Sequence, residues 1–332
     1  MQYLQNFSRE VHLRTKFLII LFTFIQSQLI LASTDFSKVE FNFQNTNEAA
    51  QFLATKDDYI NNLSTLDLSL YHGTSNTISI NEHLQFLTTT PLEWSSNEKD
   101  LIRKHIESFK DVVTKLKLNL NLPTQILLIK TNGADAFNSH YTRSNAIIFP
   151  ALSSQDIQTD LATFYHEMFH IFSRYNPTLT DDLFSLINFK RINRFIPDSE
   201  LEKIRTTNPD AFFYDHAVNI TKDNSTYEVI PFMYSAIKQD DIQGPVDESL
   251  VYKLGLLDLN AFKNKTTVMF KVSETNYKDI VSANSHYYIH PEEILAEDFK
   301  LLLLQNTTDA ATPKVKYQAV LDNLLAFFKK VN

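Results

Sequence analysis

The sequence predicts a helix-rich α+β fold. Apolar residues recur at three- and four-residue spacing over 47–70, 97–118 and the stretch from Ser154 to Pro177, as in amphipathic helices. Between them stand short strand-like runs, "LPTQILLIK" at 122–130 and "NAIIFP" at 145–150. Further β-favouring runs at 212–236 and 266–273 are separated by polar loops. With 332 residues, 43% of them hydrophobic and 12% aromatic, the chain has apolar mass for one large domain or two modest ones.

Taken in order, the chain opens with a basic segment (Arg9, Arg14, Lys16), then "FLIILFTFI", then "LILAS". This is the layout of a secretory signal, expected to occupy residues 1–33 with cleavage between Ser27 and Thr34. Gln26 and Gln28 interrupt the apolar stretch, which falls short of the ~20 residues a span needs, so no stable membrane span is expected once the signal is removed. The mature protein is then secreted or periplasmic. Residues 34–120 form an amino-terminal helical region, marked by Leu101, Ile102, Ile106, Phe109, Val112, Val113 and Leu116. A second region, 121–332, begins with the strand at 122–130, a polar turn-like stretch at 131–145 and a strand stopped by Pro150. The helix carrying Ile157, Leu161, Phe164, Met168, Ile171 and Phe172 ends at "RYNP". After a long insert of mixed structure at about 190–285, "HPEEILAEDFKLLLLQ" and "YQAVLDNLLAFFKK" read as two closing helices, the first with Pro291 in its opening turn.

Composition excludes several chemistries. The absence of cysteine removes thiol nucleophiles, thiolate metal sites and disulfides, so any metal must be held by histidines and carboxylates. Only four glycines occur, and none begins a phosphate-binding loop or a nucleophile elbow. A formal charge of -8, with no basic and aromatic stretch, gives no expectation of nucleic acid as a partner.

One cluster carries chemistry: "FYHEMFHIF", residues 164–172. On a helix, His166 and His170 lie one turn apart on one face and can aim both imidazoles at one ion. Glu167, rotated by ~100°, is poorly placed as a ligand but well placed as a general base toward water, whose pKa zinc lowers to about 7. This is the HExxH arrangement, and it predicts Zn2+ as the cofactor. A core helix in which each histidine bonds a neighbour is the plain alternative, disfavoured because burying two histidines and a glutamate without partners is costly.

A catalytic zinc commonly has three protein ligands, so a third is required. In "HPEEILAEDF", Glu293, Ala296 and Glu297 form an E-x-x-A-E pattern with the two glutamates on one helix face. HEMFH followed by this pattern resembles the gluzincin zinc metallopeptidases, over the two motif helices. The resemblance implies Glu293 as third ligand and Glu297 as the acceptor that orients a ligand histidine. His290 and Glu292 remain open alternatives for the third position. With Glu293 as ligand, Glu292 points ~100° away and is expected to contribute little.

The resemblance also implies a zincin-like layout: a small twisted sheet over the active-site helix, and a mainly helical second lobe supplying the third ligand. In that layout "NAIIFP" is the edge strand along which substrate pairs. An oxyanion needs a donor near the metal, and Tyr288 is the expected catalytic partner of Glu167, with Tyr287, His286, His140, Tyr141 and Arg143 as other candidates. The function expected is zinc-dependent hydrolysis of a peptide or protein substrate. The rival from another class is a binding protein that reuses such a scaffold with structural zinc or none.

Overall fold

The computed structural model describes residues 38–151, 160–246, 251–308 and 310–330, so the expected signal at 1–33 lies outside the described residues. It is a mixed α and β fold, rich in helix, with two sheets. The first sheet has the order β1-β2-β4-β3. Its strands are β1 (Glu40–Phe43), β2 (Gln125–Thr131), β3 (Tyr141–Arg143) and β4 (Ala146–Pro150). β1 and β4 run parallel to β2, and β3 runs antiparallel to β4 with Tyr141 opposite Ile148.

Alternation along these strands feeds two cores. Ile126, Leu128, Ile147 and Phe149 face one core, while Ile129, Ala146 and Ile148 face the other. Both faces are therefore covered, which is why the strands of a largely parallel sheet read as continuous apolar runs. Four short helices, α1 (Thr46–Leu53), α2 (Asp58–Asn62), α3 (Thr65–His72) and α4 (Ile80–Leu87), lie in the amino-terminal part. Residues of α1, α2 and α4, among them Leu53, Tyr59 and Leu87, fill the second core. The long α5 (Ser96–Leu116) places Ile102, Ile106, Phe109 and Val113 in the first.

The amino-terminal region is mostly helical, and its strand β1 joins the sheet. One expectation is corrected. "NAIIFP" is not an edge: β4 is an inner strand between β2 and β3, and the edge strand beside it is β3, inside the stretch expected to be a turn, with β1 at the other edge. A three-residue strand is too short to show a period, and its Arg143 is buried against expectation. Asp57 and the carbonyls of Leu53 and Thr55 satisfy that guanidinium, at 2.8, 3.1 and 2.7 Å.

Helix α6 (Leu161–Tyr175) carries HEMFH, with Asp160 capping Thr163 N–H. It leads into α7 (Thr180–Ser185), the two-residue β5 (Lys190–Arg191) and α8 (Ser199–Glu202). The insert then builds an antiparallel second sheet, ordered β5-β6-β7-β8-β9. Its remaining strands are β6 (His216–Lys222), β7 (Ser225–Tyr234), β8 (Lys253–Asp258) and β9 (Met269–Phe270), with α9 (Leu259–Lys263) between the last two. Val218, Ile220 and Val229 of this sheet join the first core. The short α10 (Tyr277–Ile280) precedes α11 (Pro291–Leu304) and α12 (Gln318–Lys330). Among the described residues no helix is long and apolar enough to cross a membrane.

Helix α11 is buried along nearly its whole length, unlike an amphipathic surface helix. Phe299 meets Phe169 of α6 at 5.7 Å, Phe328 of α12 at 5.3 Å and Phe109 of α5 at 6.5 Å between ring centroids. These contacts hold α11 against α6 and bring its carboxylates to the motif histidines.

Candidate metal centre

Four acidic side chains of α11 are nearly solvent-free: Glu292, Glu293, Glu297 and Asp298 are exposed by 8%, 1%, 9% and 0%. Burial of so many carboxylates requires strong partners. Three of them find His166 and His170.

Each Nδ1 has its own acceptor: His166 Nδ1 lies 3.0 Å from Glu297 Oε1, and His170 Nδ1 lies 3.1 Å from Glu292 Oε1. An ionised carboxylate only accepts, so each Nδ1 can donate its proton there, and an imidazole deprotonated at Nε2, as a metal ligand must be, offers that nitrogen's lone pair. Those two Nε2 atoms stand 3.1 Å apart, and Glu293 Oε2 lies 3.1 Å from that of His166 and 3.5 Å from that of His170. Three electron-pair donors thus converge. Ligands at ~2.0–2.1 Å in a tetrahedron are separated by about 3.3 Å, so the triangle matches a small cation. His166, His170 and Glu293 form a buried group able to hold a metal ion.

Without a metal, protons meet the same electrostatic need. Burial opposes charge on His166, but Glu293 and Glu297 outweigh it and lift the imidazole to about 9. Burial likewise opposes charge on His170, yet Asp210 and Glu293 raise it well above its ordinary value. Burial pushes Glu293 upward, and His170 and His166 overcome that to hold it well below the usual carboxylate range. Glu297, buried but bonded to His166 and paired with Lys300, is lowered to about 2.

Glu167 differs from its neighbours. Burial first, then the charge of Asp210, raises its carboxyl to about 8, and its buried Oε2 has no hydrogen-bond partner among the described residues. It lines a cavity of about 180 Å3 together with His140, His166, Asn208, Tyr287 and Glu293. A larger cavity of about 570 Å3, bordered by Thr142, Ser173, Arg174, Phe213 and Glu292, lies across Pro209 and Asp210, which line both.

The other sequence candidates fall into place around this centre. His290 caps α11: its Nδ1 accepts from Glu292 N–H at 3.2 Å and its Nε2 donates to the Phe213 carbonyl at 3.0 Å, so neither nitrogen is available to an ion. Glu292 does more than expected, because it accepts from both His170 Nδ1 and Ser173 Oγ, the latter at 2.8 Å. A residue ~100° from one ligand on its own helix can still meet the other histidine on the facing helix.

Tyr288 lies away from the smaller cavity. It packs against the first core, with Lys278 Nζ 4.6 Å from its ring centre, and is absent from the cavity wall. Its neighbour Tyr287 takes that wall, its ring 6.1 Å from His166. His286 is exposed and does not line the cavity. Tyr141 and Arg143 are structural, the hydroxyl of Tyr141 donating to Asp135 at 2.6 Å. Of His140, Tyr141 and Arg143, only His140 lines the smaller cavity.

Asn208 and Asp210 escaped the sequence reading altogether. Asn208 Nδ2 donates to Glu293 Oε1 at 2.7 Å. Asp210, grouped with Glu167 and His170, accepts from Thr142 N–H at 2.9 Å on the β3 edge. The signal available was an Asn-Pro-Asp turn between apolar runs, which marks a loop and nothing about its destination.

Searches for relatives match this chain to no family model, no curated protein and no solved structure.

Proposed function

We propose that the chain is a zinc-dependent peptidase of gluzincin type, with His166, His170 and Glu293 as ligands and Glu167 as general base. The observation that carries this reading is the convergence of three lone-pair donors, with both Nδ1 protons already committed, beside a buried carboxylate oxygen that lacks a partner. Zinc held there supplies a Lewis acid that polarises a carbonyl and lowers the pKa of water toward 7.

The chain's own residues do the rest. Glu297 and Glu292 hold the two imidazoles in the Nδ1–H tautomer and fix their planes. Glu167 takes a proton from water at its free Oε2 and returns it to the leaving amine nitrogen. A dry, unpaired carboxylate is a stronger base than one in water. Tyr287 and His140, on the wall of the same cavity, are the groups placed to donate to a developing oxyanion, the role expected of Tyr288. Peptide or protein substrate would enter between the two cavities, beside the β3 edge. The zincin-like layout is part of this reading: a small sheet above α6, with α11 supplying the third ligand.

The test is cleavage of a mixed peptide library by the zinc-loaded protein, abolished by chelator and restored by zinc. Zinc bound at one per chain without any cleavage would leave a metal-binding protein and remove the peptidase reading.

A further inference from the structure

Glu293 shows one oxygen to the imidazoles and gives the other away. Oε2 faces both Nε2 atoms, while Oε1 accepts from Asn208 Nδ2 at 2.7 Å. The amide cannot turn over without loss, because Asn208 Oδ1 accepts from Asp210 N–H at 2.8 Å. Both Glu293 and Asn208 are buried, so water is a poor substitute for this donor.

The segment bearing Asn208 is pinned on both sides. Upstream, Thr207 donates through its N–H and hydroxyl to the buried Asp67 of α3, at 3.0 and 2.7 Å, and Arg205 Nη2 reaches the Asn62 carbonyl at 2.7 Å. Downstream, Asp210 accepts from the N–H and hydroxyl of Thr142 on β3 and from Arg174 Nη2 of α6, the last at 3.4 Å. Amino-terminal helices and the sheet edge therefore both position the Asn208 amide.

Carboxylates bind ions through one oxygen or chelate through both. With Oε1 held by an amide donor, chelation would cost a buried hydrogen bond. Building on the metal site proposed above, we infer that Asn208 is a positioning residue that restricts Glu293 to ligation through Oε2 alone. That restriction keeps a fourth position open, as catalytic sites require.

The test uses the full chain loaded with zinc for X-ray absorption and with cobalt(II) for visible absorption. The wild type should show one short carboxylate oxygen beside two imidazoles, and intense four-coordinate cobalt bands. Asn208→Ala should weaken zinc binding about tenfold to a hundredfold, the usual effect of losing an outer partner, and shift cobalt toward the weaker bands of higher coordination. Asn208→Asp is nearly isosteric and keeps the acceptor for Asp210 N–H. It replaces the donor with a charge that repels Glu293 Oε1, and should show the same spectral shift even if the alanine variant folds poorly. A wild-type site with two equidistant carboxylate oxygens overturns the assignment without any variant. Unchanged cobalt spectra and zinc affinity in folded Asn208 variants overturn it too. Failure of the wild type to bind either metal would instead remove the metal site itself, a distinguishable result.

Discussion

At the scale of single residues, Glu167 and Glu292 separate two uses of a buried carboxylate. Glu167→Gln keeps both imidazoles and Glu293 in place, so zinc content should be unchanged. Peptide hydrolysis should fall by about a hundredfold or more, the usual cost of losing a general base. Zinc analysis beside kcat/KM checks this, and retained turnover would take Glu167 out of the reaction. Glu292 and Glu297 each accept from one ligand histidine, so Glu292→Ala and Glu297→Ala should each weaken zinc binding about tenfold to a hundredfold, whereas Glu293→Ala should lose most of it. Competition with a chelating dye ranks the three. Asp298 is the outlier on α11. Burial raises it to about 7, its Oδ1 accepts from Asn284 at 2.8 Å, and its buried Oδ2 has no partner among the described residues. The folded state thus binds this proton more tightly than the unfolded chain. Its contribution to stability is full below the unfolded value near 3.8 and is lost as pH rises through about 7. Asp298→Asn removes that loss, so the variant's Tm relative to wild type should climb between pH 5 and pH 8. A difference independent of pH would show that Asp298 does not titrate in this way.

At the scale of elements, the site depends on how α11 meets α6. The aromatic layer around Phe299 sets that spacing, and the donor triangle of 3.1, 3.1 and 3.5 Å depends on it. Phe299→Ala should cost about 3–5 kcal/mol of folding stability, by lost burial and a cavity. It should also weaken zinc binding although no ligand is touched. Denaturant unfolding of the metal-free variant and zinc titration of its folded form measure the two effects. Loss of stability with unchanged zinc affinity would mean that the ligand spacing is set elsewhere. The insert belongs to this scale as well. Its second sheet shares a core with α5, α6 and α11, and its loop at 206–213 reaches into the centre, so it supports the site directly.

At the scale of the whole molecule, a metal bound at the proposed site would be linked to folding. The proposed ligands come from two helices far apart in sequence; the histidines' partners Glu292 and Glu297 lie on α11, and the partner of Glu293, Asn208, comes from a loop of the insert. An unfolded chain has no such site. Zinc at a thousandfold its Kd should therefore add about 4 kcal/mol to stability, seen as several degrees of Tm lost on chelation and regained with zinc. Glu293→Ala should melt at one temperature with or without chelator. An equal chelator effect in wild type and this variant would place the stabilising ion elsewhere.

The sequence by itself determined the local features: a helix with His166, Glu167 and His170 at their helical spacing, a later helix with Glu293 and Glu297 on one face, and the apolar runs of β2 and β4. The helices follow from a period of 3.6 residues and the strands from short unbroken apolar runs, both of which are printed along the chain itself. Tertiary structure decided what depends on approach between distant segments. It chose Glu293 over His290 for the centre by spending both nitrogens of His290 on a cap and a carbonyl. It turned Tyr287 rather than Tyr288 toward His166, and gave Glu292 a partner on the facing helix. It made β3 a sheet edge and carried Asn208 from the insert to Glu293. None of these has a period or a fixed spacing in sequence, because hydrogen bonds and packing between elements are set by three-dimensional distance, and that is fixed only once the shared core has closed.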